Sequence, residues 1–195
     1  MKILHLDSSI LGEASVTRIL TADLLKAELR HHPESEVVYR DLVAEPLQHQ
    51  SGAHLQAAQG AIPAAGLDVE LGAKVLAEFL EADVVIIGAP MYTFGIPSQL
   101  KAWIDRVSVA GKTFRYTEKG PEGLAGGKKV IIASARGGAY ADTPIAFLDH
   151  QEAHLRVVFG FWGVTDITFI RAENVSRQHL RADSIQAARA QIAAL

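Results

Sequence analysis

Three short segments carry the residue types from which a binding site could be built. The first, Asp7-Ser8-Ser9-Ile10-Leu11-Gly12-Glu13-Ala14-Ser15-Val16-Thr17, places four hydroxyl side chains before and within the start of a helical pattern. Hydroxyl donors, unpaired N–H groups and the positive end of a helix together suit a phosphate. Neither G-x-G-x-x-G nor G-x-x-x-x-G-K-[ST] is present, so a phosphomonoester without metal fits better than a dinucleotide or a P-loop nucleotide. The plainer alternative is that Ser15 only caps the helix while Ser8 and Ser9 form a turn.

The second segment, Gly88-Ala89-Pro90-Met91-Tyr92-Thr93-Phe94-Gly95-Ile96-Pro97, follows a strongly apolar run. A loop facing water should be polar, yet this one offers Met91, Tyr92 and Phe94, which suit a flat apolar ligand such as an isoalloxazine ring. Covering the sheet end or meeting another subunit would also account for them. The third, Ser134-Ala135-Arg136-Gly137-Gly138-Ala139-Tyr140, has two glycines that let a backbone pass close to a ligand, and Arg136 could place a cation there. Outside these loops, Phe114, Tyr116, Phe161 and Trp162 are candidates to wall a pocket, within one chain or across a dimer interface, with core packing as the alternative for Phe161-Trp162.

Other chemistry is poorly represented. The chain has no cysteine, which excludes disulfides, thiolate metal sites and cysteine nucleophiles. No H-E-x-x-H or G-x-S-x-G occurs, and His5, His31 and His32 lack ligand spacing, so neither a metal site nor a serine hydrolase is indicated. Nineteen basic and twenty-two acidic residues are mixed along the length, giving a net charge of −3 with no basic block for nucleic acid or an anionic membrane. The apolar start Met1–Leu6 is too short for a signal peptide and Val84–Pro90 too short to span a bilayer, so a cytoplasmic protein is expected.

The elements that must position these loops follow from period and punctuation. Strands are expected at Lys2–Leu6, Glu36–Asp41, Asp83–Gly88, Lys128–Ser134 and Asp166–Arg171. Helices are expected at about 16–31, Leu67–Leu80, Pro97–Val109, Thr143–Phe159 and Ser176–Leu195. Leu42–Gly66 should hold one irregular helix, and Lys112–Glu122 should be an excursion. Alternation of this kind predicts one α/β domain over 1–195, a flavodoxin-like three-layer sandwich with five parallel strands in the order 2-1-3-4-5. All three loops then leave the carboxyl ends of neighbouring strands, where such sheets bind ligands.

Ser9 with Ser15-Val16-Thr17, the run Pro90 to Arg106, Thr113-Phe114-Arg115-Tyr116 with Gly120-Pro121-Glu122-Gly123-Leu124, and Arg136-Gly137-Gly138 resemble the FMN-dependent NAD(P)H azoreductases of bacteria. The resemblance implies a flavodoxin-like homodimer reducing quinones and azo compounds by ping-pong hydride transfer through flavin N5, with NADH or NADPH as donor. It implies that Ser9 and Ser15–Thr17 bind the FMN phosphate, that Pro90–Phe94 line the ring, and that Ala135–Gly138 pass along its edge. No side chain is assigned as a catalytic acid or base. Two positions depart from the family pattern: Thr93 stands where asparagine is common and Ala135 where serine is common. A flavodoxin-type electron carrier is the other reading, and the lack of an acidic cluster weighs against it.

Overall fold

A computed structural model describes residues 1–195. Strand β1 (Lys2–Asp7) leads through a short 3-10 turn into α1 (Val16–His31), followed by β2 (Glu36–Asp41), α2 (Gly52–Ala58) and α3 (Val69–Glu81). Then come β3 (Val84–Pro90), α4 (Ser98–Val107), the hairpin β4 (Phe114–Thr117) and β5 (Gly120–Gly123), and β6 (Lys129–Ala135). The chain closes with α5 (His150–Phe161), β7 (Asp166–Ala172) and α6 (Gln178–Ala193).

The main sheet is parallel with order β2-β1-β3-β6-β7. Counting only its own strands, this is the expected 2-1-3-4-5; the numbering differs because β4 and β5 pair with each other in a separate hairpin. All seven residues of β3 are buried, as its unbroken apolar run requires of a central strand covered on both faces. One core lies beneath α3, α4 and α5, where Phe79, Trp103, Phe159 and Trp162 pack as interlocking rings with centroids 5.1–6.3 Å apart. The other lies beneath α1 and α6 and joins Val16, Leu20 and Leu24 to Ile86, Ile131 and Ala188.

Two expected boundaries shift. The helix predicted from Thr143 begins only at His150, because Asp149 caps it by accepting from Gln151 N and Glu152 N; Pro144 and a 3-10 turn at Ala146–Leu148 precede it. The excursion at Lys112–Glu122 becomes the hairpin, whose base is fastened by Leu124 N to Thr113 O at 2.9 Å and Ala125 N to Trp162 O at 2.8 Å.

Gly123 makes that fastening possible, since a Cβ there would lie 2.1 Å from Gly163 N and 2.3 Å from Trp162 C. Backbone cannot move aside as a side chain can. Gly123→Ala should therefore lower stability by about 2–3 kcal/mol in chemical denaturation; an unchanged midpoint and slope would show that the hairpin seats without this close approach.

Candidate active site

Sheet register brings the three loops to one edge. Asp7 pairs across to Gly88, Pro90 to Ala135 and Ala135 to Ala172, so the strands end nearly level. The loops are then tied to one another. Met91 N donates to Ala135 O at 2.8 Å, joining the second loop to the third. The Tyr92 hydroxyl lies 3.2 Å from Ser9 Oγ and accepts from Ile10 N at 3.2 Å, joining the second to the first. Beneath them the Ser8 hydroxyl donates to Gly88 O at 2.6 Å. Gly88 allows α1 to come close: a Cβ would meet Asp7 Oδ1 at 2.7 Å and Thr21 at 3.3 Å.

In the first loop, Ser9, Ser15 and Thr17 are almost fully buried. Ser15 is the N-cap of α1 and accepts from Arg18 N at 3.3 Å, while its hydroxyl is 3.0 Å from that of Thr17. Capping and ligand binding are thus compatible, because one oxygen can accept from the helix and donate outward. The N–H groups of Val16 and Thr17 lie in the first turn, where an α-helix has no internal acceptor for them. Hydroxyls and N–H groups gathered at one helix start fit a phosphate monoester.

The second loop turns sharply. Tyr92 N bonds Gly95 O and Gly95 N bonds Tyr92 O, both at 3.0 Å, and Thr93 and Phe94 have φ of 47° and 65°. Both central residues are left-handed, the condition of a type I′ turn, which asparagine and glycine adopt readily and a β-branched threonine does not. Met91 and Tyr92 are half-buried, Thr93 and Phe94 exposed, and Phe94 meets the Tyr140 ring edge-on at 6.4 Å.

The third loop corrects one expectation. Arg136 is 1% exposed, and its guanidinium turns under the loop to Asp149 at 2.9 Å, Glu173 at 3.2 Å and Glu152. A desolvated guanidinium requires such partners, so this side chain braces the loop and is not a free cation for a ligand. Gly137 packs closely on Ser176, whose hydroxyl would lie 2.7 Å from an added Cβ. Glu173, which nothing in the sequence singles out, also accepts from Tyr140 N at 2.8 Å and Ala141 N at 2.9 Å. Gln151 is a second unread contributor: it accepts from Ser134 Oγ at 2.7 Å and donates to Ala89 O at 2.9 Å, in a buried position.

The four aromatic candidates divide. Trp162 is 0% exposed among Phe79, Trp103 and Phe159, so it belongs to the core and cannot wall an open pocket. Phe114, Tyr116 and half-buried Phe161 form a stack on the hairpin side, with centroids 5.5 Å and 4.6 Å apart and Tyr116 76% exposed. Helix α5 begins with His150 N on Phe94 O at 3.1 Å, so Phe161, at its far end, lies about 16 Å farther along the axis. The stack therefore does not join the three loops within one chain.

Charges below the first loop are closely matched. Burial opposes ionisation of Asp7, but His5 at 3.6 Å, the Thr21 hydroxyl and Arg18 outweigh it and hold the carboxyl below its usual range. Tyr39 donates to Asp7 at 3.1 Å, and burial together with that negative charge pushes its phenol up to about 12.

The whole chain, residues 1–195, matches the protein-family model described as flavodoxin-like fold. The chain belongs to this flavodoxin-like family. A protein of Sinorhizobium fredii (strain NBRC 101917 / NGR234), named FMN-dependent NADH:quinone oxidoreductase, is 59% identical, covering 90% of this chain and 87% of the relative. One of the same name from Bradyrhizobium sp. (strain BTAi1 / ATCC BAA-1182) is 54% identical over 100% and 99% of the two chains. Among solved structures, an azoreductase from Bacillus anthracis str. Sterne superposes with a TM-score of 0.88 at 30% identity, covering 100% of this chain and 97% of that one.

Two outcomes test this geometry. Thr93→Asn should raise unfolding stability by about 1 kcal/mol by relieving a left-handed β-branched residue; no gain in denaturant titration would mean the turn is unstrained. Because the folded state raises the Tyr39 pKa, the stability it contributes is complete below pH 10 and falls as the pH rises from 10 towards 12. Tyr39→Phe should flatten that alkaline loss in pH-dependent melting, and an unaltered profile would remove Tyr39 as its source.

Proposed function

We propose that this chain, as a single domain over 1–195, is an FMN-dependent NADH:quinone oxidoreductase that also reduces azo compounds. The observation that carries the reading is the meeting of a hydroxyl-rich helix start, an apolar type I′ turn and a glycine loop at one sheet edge. The names of relatives 54–59% identical over nearly the whole chain supply the reaction. FMN, when bound, supplies hydride transfer from a nicotinamide to a two-electron acceptor.

The residues have distinct tasks. Hydroxyls of Ser9, Ser15 and Thr17, with the N–H groups of Val16 and Thr17, hold the phosphate. Pro90, Met91, Tyr92, Thr93 and Phe94 line the ring, and Ala135, Arg136, Gly137 and Gly138 pass along its edge by backbone. The amino end of α4, which directly follows the second loop, favours negative charge on that side of the site.

Homodimerisation explains the aromatic stack. Phe114, Tyr116 and Phe161 are distant from their own loops, and in this reading it is a second copy that brings them over the flavin. Exposed Phe147 and Val157, 72% and 70% accessible, add apolar surface near the start and along the side of α5 that a partner would cover.

The deciding experiment is spectroscopic. The purified protein should be yellow or become so with added FMN, NADH should bleach it without oxygen, and a quinone should restore the colour. A protein that takes up no flavin refutes the proposal, and persistent yellow under NADH identifies a flavodoxin-type carrier instead.

A further inference from the structure

Two arginines hold the first loop near its two ends. Arg18, in the first turn of α1, donates from Nη2 to Ser9 O at 3.0 Å, and Arg181, on α6, donates from Nη2 to Ala14 O at 2.7 Å. Those carbonyls bracket the segment that presents Ser9 at one end and Ser15 at the other. Neither arginine lies in a motif, and one is separated from the loop by nearly the whole chain.

Their electrostatic states differ. Arg18 faces Asp41 at 2.8 Å and Asp7 at 3.7 Å and also donates to the Tyr39 hydroxyl at 3.1 Å, so its charge is neutralised locally. Arg181 is half-buried and paired with no carboxylate, whereas Arg189 of the same helix is tied to Asp23 at 2.8 Å. A phosphate monoester near neutral pH brings about −1.5 to −2 charges. Hydroxyls and N–H groups donate to it without net charge, and Asp7 and Asp41 lie close by. A cation beside the loop would add to the field of the helix start, and Arg181 is the arginine bonded to the loop whose charge no carboxylate pairs.

We infer that Arg181 is the phosphate-recognition residue of this site: it positions the loop through Ala14 and supplies the positive field by which the protein selects FMN over riboflavin. The inference rests on the proposed assignment of Ser9, Ser15 and Thr17 to the phosphate.

The test is flavin exchange in the holoprotein, dialysed against equal FMN and riboflavin, with the bound ratio measured by chromatography at low and raised salt. Arg181→Gln lowers the FMN-to-riboflavin ratio about tenfold, the size of one charge-assisted contact, and flattens its salt dependence; Arg181→Lys retains that dependence. Arg181→Met carries the same expectation as Gln should the latter not accumulate. Ser15→Ala combined with Thr17→Ala lowers the ratio independently. A parental ratio in Arg181→Gln beside a lowered one in the double variant overturns the role of Arg181 alone. A parental ratio in both overturns the phosphate assignment and this inference with it. A lowered ratio with parental salt dependence overturns the charge role.

Discussion

A parallel sheet ends in backbone groups that its own ladder leaves unpaired, and here cross-bonds between the emerging loops close them. Met91 N on Ala135 O, Arg136 N on Ala172 O and Leu42 N on Asp7 O continue the pairing one residue past the strands. These bonds fix each loop against its neighbour before any ligand arrives. Because buried backbone groups left unpaired are costly, the relative placement of the three loops is part of the stability of the fold. A site built this way is preorganised by the requirement that closes the sheet.

Side chains extend the same principle outward. Tyr92 bridges to Ser9, Gln151 braces both Ser134 and Ala89, and Glu173 gathers two N–H groups and a guanidinium. The third loop is supported by a compact ion cluster in which Arg136 and Arg171 share Glu152, with Asp149 and Glu173 completing it. Charge is consumed inside that cluster. The first loop has the opposite character, with neutral hydroxyls gathered at the start of α1 and a matched set of charges around Asp7.

Much of this was legible in the sequence because it depends on residue type and period. The apolar run of β3 could only be a doubly covered strand, and the spacing of Val16, Leu20, Leu24 and Ala27 could only be one face of a helix. The loops declared themselves by composition: hydroxyls before a helix, aromatics where polar residues belong, and paired glycines. Direction was not legible. Arg136 reads as a cation beside a ligand site, yet three acids distant in sequence turn it inward; Trp162 reads as a pocket-wall candidate with core packing as the alternative, and only tertiary packing decides. Thr93 stands out against the family pattern, but its left-handed backbone appears only once the turn is closed by Tyr92 and Gly95.

The hairpin of β4 and β5 stands apart from this economy of shared bonds. Its two strands lie outside the main sheet, and it is anchored at its base by the close approach of Gly123 to Gly163, by Ala125 N on Trp162 O, by Gly111 N on Phe114 O and by the Phe114–Phe161 contact. Residues at its tip can therefore drift through mutation without disturbing the parallel sheet or the loops at its carboxyl edge. In the proposed reading, such a hairpin is a part that can change its outward face separately from the loops assigned to the flavin.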